Sequence, residues 1–98
     1  MWLLIDDIRT FGVDMIARNA EAGRIALCNI TWDGVIMDHD LGCKETGYDV
    51  LKWALEHRCL PERVQLCTMN PVGRVGMANL LRSAGYSGQI SDFILDKP

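Results

Sequence analysis

The chain has 98 residues, 49% of them apolar, and a formal net charge of −3. That length suits a single domain spanning 1–98 and leaves no room for two, and the apolar content excludes a disordered tail. With no basic block, duplex DNA binding driven by phosphate neutralisation is excluded too; a metal-mediated contact with a small phosphate ligand is not.

The opening "MWLLIDD" has no basic segment and meets acid after four apolar residues, so it reads as a strand over 2–5 rather than a signal peptide. No apolar run approaches the ~18 residues a membrane span needs. "VDMIAR" (13–18) is a weaker strand. Asn19 then offers an N-cap for a helix over 20–29, with Ala22, Ile25 and Ala26 on one face and Gly23 as an unfavourable interior residue. "GVIM" (34–37) is a second buried strand. "TGYDVLKWALEHR" opens with Thr46 and Asp49 at capping-box spacing, and Val50, Leu51, Ala54 and Leu55 follow at helical period. "RVQLCT" (63–68) is a strand. Asn70-Pro71 starts a helix whose stripe is Met77, Leu80, Leu81 and Ala84 and which ends at Gly85. "DFIL" (92–95) is the last strand, before Lys97-Pro98.

Alternating strands and helices predict an α/β fold with a mostly parallel sheet of four or five strands. The link from Asp6 to Val13 is too short for a helical crossover, so the second strand pairs antiparallel or is reached by an extended return over the sheet. In such sheets ligands bind beyond the carboxyl ends of the strands. Asp6 and Asp7 follow the first strand, Asp38, His39 and Asp40 the second buried one, and Thr68 and Asn70 the "VQLC" strand. Lys97 follows the last. Carboxylates converging this way need a cation among them, and a hard divalent ion such as Mg²⁺ suits oxygen ligands.

The order of acid pair, single Asp, Thr and Lys-Pro resembles the receiver domain of two-component response regulators. "WLLIDDIR", "MDHDLG", "TGYDVLKW" and "MNPVGR" are similar to a narrower family, the cyclic-phosphate-processing receiver domains. The resemblance implies a small receiver-like (flavodoxin-like) three-layer sandwich lacking the first and last receiver helices. It also implies Mg²⁺ held by Asp6, Asp7 and Asp38, and action on cyclic phosphate ends or cyclic nucleotides in phage and bacterial conflict or RNA repair. In that family's pattern a His-Ser pair precedes the Asn-Pro helix; here Cys67 and Thr68 stand in those positions. The missing final helix leaves apolar surface that a partner subunit, such as a second copy of the chain, would cover.

Asp38 is the central candidate, because it follows a buried strand directly. His39 suits proton transfer near neutral pH. If strand geometry persists, Asp40 points to the opposite side from His39. Thr68 and the helix start at Asn70 are candidate phosphate binders, with Gly73 allowing close approach and Lys97 as a cation. Cys28, Cys43, Cys59 and Cys67 form no CxxC pair and read as free thiols in a reducing cytoplasm, Cys43 and Cys67 as spectators near the rim. Trp2, Trp32 and Trp53 read as packing, and His57 as a surface residue at a helix end. The leading expectation is a Mg²⁺-dependent phosphoesterase acting on a cyclic nucleotide or RNA end. A non-catalytic nucleotide-binding or interaction module and a phospho-acceptor receiver modified on Asp38 are the alternatives.

Overall fold

A computed structural model describes residues 1–91 and 94–97. Its elements are β1 (Trp2–Ile5), β2 (Met15–Ala17), α1 (Ala20–Asn29), β3 (Gly34–Met37), α2 (Gly47–Glu56), β4 (Arg63–Leu66), α3 (Pro71–Ser83), β5 (Ser87–Ser91) and β6 (Ile94–Asp96). Asp92 and Phe93 of the expected last strand, and Pro98, lie outside the described residues.

The sheet runs β2-β1-β3-β4-β6-β5. The first four strands in this order are parallel to one another, and β6 is antiparallel to both β4 and β5. This is the receiver-like, flavodoxin-like α/β arrangement that the sequence predicts, with chain order reversing between β1 and β3. The extended return is how β2 is reached: it pairs parallel to β1, Leu4 opposite Ile16. The unforeseen β5 has the sequence SGQIS, whose single apolar residue gives no alternating pattern. It pairs with β6, which returns antiparallel rather than by a crossover.

Register explains where the core sits. Leu3, Val35, Val64 and Leu95 stand side by side across β1, β3, β4 and β6, as do Ile5, Met37 and Leu66. These seven are at most 2% exposed and share one core with Leu27 of α1, Val50 and Leu51 of α2, and Met77 and Leu81 of α3. All three helices therefore cover the same face. The opposite row is Leu4, Ile36, Gln65 and Ile94. No described helix covers that row.

The caps match their sequence signals. Asn19 accepts from the Ala22 N–H at 2.8 Å, and Thr46 and Asp49 form the reciprocal capping box. The face of α1 differs from expectation. Ala20, Gly23, Ala26 and Leu27 point inward, while Ile25 is exposed. Gly23 causes the roll: a Cβ there would stand 2.9 Å from Ile5 Cδ1, so the helix rests its bare backbone on β1.

Candidate functional site

The sheet ladder continues past the strand ends and fixes the polar residues that follow. The Asp6 N–H donates to the Ala17 carbonyl at 3.1 Å, Asp38 N–H to Ile5 at 3.0 Å, and Cys67 N–H to Met37 at 3.1 Å. Asp6 and Asp38 thus flank the point where strand order reverses. Both are buried, with Thr68 beside them. A cleft opens over them, lined by Asp6, Asp7, Ile8, Arg9, Asp38, Asp40, Thr68 and Met69.

Its centre is a residue to which the sequence pattern assigned no role. The Arg9 Nη1 lies 3.0 Å from Asp6 Oδ2 and 3.4 Å from Asp38 Oδ2, so one guanidinium bridges the two carboxylates. The Asp6 Oδ1 accepts the N–H groups of Ile8 at 2.9 Å and Arg9 at 2.8 Å, a turn that curls Arg9 back over the strand end. Arg18 pins this loop from outside by donating to the Arg9 carbonyl at 2.6 Å and Thr10 Oγ1 at 3.0 Å. The only sequence hint was the three-residue step from Asp6 to Arg9.

The two acids differ electrically. Burial pushes Asp6 up, but the Ile8 and Arg9 N–H groups and the Arg9 guanidinium outweigh it and hold Asp6 below the usual carboxylate range. Burial, with the neighbouring Asp6 charge, raises Asp38 above it, against hydrogen bonds from the His39 N–H and Thr68 and the Arg9 charge. The pair thus ionises unequally, Asp6 first.

Asp6, Asp38 and Cys67 offer ligand atoms within 4.8 Å of one another. Cys67 thus lies inside the acidic group, its Sγ 3.6 Å from Asp6 Oδ2. Burial and the two carboxylates push its thiol up to about 12, so at neutral pH it is an uncharged thiol. A hard cation would prefer the oxygens. Asp7 is outside this tight trio. It lies along the cleft wall, where its Oδ2 would be 3.1 Å from a Cβ on Gly42.

His39 and Asp40 do not diverge as strand geometry predicted. The chain turns after β3, and His39 Nδ1 and Asp40 Oδ1 meet at 3.0 Å. The imidazole packs on α3, where a Cβ on Gly73 would be 2.4 Å from its Cγ. Gly73 therefore makes room for His39 rather than for a ligand. Its N–H is taken by Asn70 Oδ1 at 3.1 Å. Asn70 is the expected cap, and since Pro71 has no N–H, the first turn of α3 offers little beyond the Val72 amide. Thr68 accepts the Asn70 N–H at 3.1 Å while bonding Asp38.

Lys97 is not at the site. Because β6 runs antiparallel, its far end lies at the amino-terminal edge of the parallel strands, where the Lys97 N–H donates to the Glu62 carbonyl at 2.8 Å. Trp32 is buried, its indole donating to the Ala26 carbonyl at 2.9 Å, and His57 stacks on Trp53 with ring centroids 4.2 Å apart. No helix among the described residues is long and apolar enough to cross a membrane.

A family model described as the cyclic-phosphate processing receiver domain matches residues 1–83. That span runs from β1 through α3 and includes every site residue named above except Lys97. Neither the curated proteins nor the solved structures yield a match.

Proposed function

The chain belongs to the family of cyclic-phosphate processing receiver domains, and on that premise we propose that it is a divalent-cation-dependent phosphoesterase that opens a cyclic phosphate on a nucleotide or an RNA end. The observation that carries this reading is the convergence of two buried carboxylates, Asp6 and Asp38, on one shared positive charge at the reversal of strand order. Two hard oxygen donors around a cationic centre suit Mg²⁺. Asp6 and Asp38 would hold the ion, with Asp7 as the third carboxylate of the cleft. When bound, it would supply positive charge to a phosphoryl oxygen.

The chain's own groups divide the remaining work. Ring opening adds one water: its oxygen bonds to phosphorus, one ring P–O bond breaks, and the leaving alkoxide takes a proton. Asp40 orients His39 through Nδ1, leaving Nε2 to carry that proton. Arg9, released from the carboxylates, would turn its planar fork toward the phosphate oxygens. Thr68 would hold a further oxygen. Lys97 has no part in this scheme.

The test is a panel of 2′,3′-cyclic nucleotides and cyclic dinucleotides incubated with the protein and Mg²⁺, with products separated by chromatography. Consumption by the wild type and none by Asp38→Ala is expected; a fully active Asp38→Ala enzyme would overturn the mechanism. A second reading, a binding module without turnover, draws support from Arg9 already neutralising the acids and from Cys67 standing where the family pattern has an imidazole. Calorimetric binding without consumption would select it. Phosphorylation of Asp38 by acetyl phosphate is the least favoured reading, since its Oδ1 accepts the His39 N–H at 2.8 Å and Oδ2 faces Arg9.

A further inference from the structure

Far from the acidic cleft, two cysteines distant in sequence face each other. The Cys28 and Cys59 Sγ atoms are 2.9 Å apart. Both are reduced thiols in the structure, and a disulfide bond is about 2.05 Å long, so the sulfurs need approach by less than an ångström to join.

Neither sits on a loose loop. Cys28 belongs to the last turn of α1. Cys59 follows α2, where Arg58 adopts a left-handed backbone, φ 54°, and the Cys59 N–H donates back to the Ala54 carbonyl at 3.0 Å. Cys59 also packs against the core. The separation of the sulfurs is therefore set by the packing of α1 on α2. The cleft beside them is lined by Leu27, Ile30, Trp32, Leu60 and Pro61 and has a volume of about 340 Å³, ample for a small oxidant.

We propose that Cys28 and Cys59 form a reversible dithiol–disulfide site, closed by a peroxide oxidant and reopened by thiols. Cys28 is exposed and reacts first. Its sulfur attacks one peroxide oxygen, the O–O bond breaks, the thiol proton leaves with the departing hydroxide as water, and sulfenic acid remains. The Cys59 sulfur then attacks the Cys28 sulfur and displaces the hydroxyl as a second water. Two thiols and one hydrogen peroxide thus yield one disulfide and two waters. Burial pushes the Cys59 thiol up to about 12, helped by the adjacent Cys28 thiol, so Cys59 suits the second step, where its partner sulfur is already within reach, rather than the first. The other two cysteines lack this arrangement: Cys43 Sγ faces the Glu45 carbonyl at 3.2 Å, and Cys67 faces Asp6. The bond would join positions 31 residues apart and tie α1 to α2 at the edge of the molecule remote from the acidic cleft.

The test treats the full chain with stoichiometric hydrogen peroxide, blocks residual thiols, and maps peptides without reduction. The expected result is a monomer lighter by about 2 Da, the two hydrogens lost on closure. Its Cys28 and Cys59 peptides should be joined, and dithiothreitol should reverse the link. The oxidised form should melt a few degrees higher than the reduced one, because the bond restricts the unfolded chain. Cys28→Ser and Cys59→Ser should each abolish the link, and Cys43→Ser should leave it intact. Oxygen addition without a link, a link through Cys43 or Cys67, or disulfide-bonded dimers would overturn the proposal. None of these readouts depends on cyclic-phosphate chemistry.

Discussion

Asp6 and Asp38 are the same residue type at equivalent strand ends, yet their surroundings push them in opposite directions. Asp38 is raised, so the native state holds its proton more tightly than the unfolded chain. The stability this contributes is present in acid and lost as pH rises from the ordinary carboxylate value through the native one. Asp6 is lowered, and its contribution is present above the ordinary value and lost as pH falls through the native one. Asp38→Asn is therefore expected to raise the melting temperature at pH 7 by a few degrees, with a smaller gain near pH 3, while turnover vanishes. Equal gains at both pH values would contradict this electrostatic account. Arg9→Gln leaves two carboxylates facing each other. We expect a loss of roughly 1–2 kcal/mol in chelator, discounted for the partial exposure of Arg9. Added Mg²⁺ should restore part of it, as denaturant melts with and without the ion would reveal. Asp38 and Thr68 were legible because each follows a buried apolar run. Arg9 was not, because its place depends on a turn made by backbone amides, which no side-chain pattern encodes.

One helix, α3, opens beside the cleft, and two residues at its start serve different ends. Asn70→Ala removes a cap and should cost about 1 kcal/mol of stability with little change in ligand binding. Gly73→Ala, three residues on, inserts a methyl group into the His39 ring. The imidazole must leave, so turnover is expected to fall about as far as in His39→Ala, and the His39 NMR signals should shift. A Gly73→Ala protein with unchanged imidazole resonances and activity would remove His39 from the mechanism. The caps were readable because Asn, Thr and Asp act locally, within one turn. The strand β5 was not, since polar residues carry no burial period. The roll of α1 escaped because a glycine can lie in the buried stripe, where a hydrophobicity count sees a gap.

At the scale of the whole molecule, the described helices all lie on one sheet face, and stability rests on the central strands. Leu4 lies on the face without helices and is nonetheless fully buried. Leu4→Ala is expected to cost about 2–5 kcal/mol, as for a residue of a two-sided core, whereas Ile25→Ala on the outer side of α1 should stay within about 0.5 kcal/mol. Urea melts would distinguish them, and a cheap Leu4→Ala would mean that this face contributes little. The parallel arrangement was legible because "WLLI" and "GVIM" are apolar on both faces. The position of Lys97 was not, because the direction of a terminal strand depends on which edge it finds, and that is decided by the rest of the sheet. One contact joins the chemistry to the body of the molecule. Gly47 has no Cβ because the Asp38 carbonyl oxygen fills that space, and its N–H donates to the His39 carbonyl at 2.7 Å. The acidic turn is thereby buttressed by the start of α2. Any side chain at position 47 would have to displace the Asp38 backbone, so the mouth of the cleft keeps its shape only while glycine stands there.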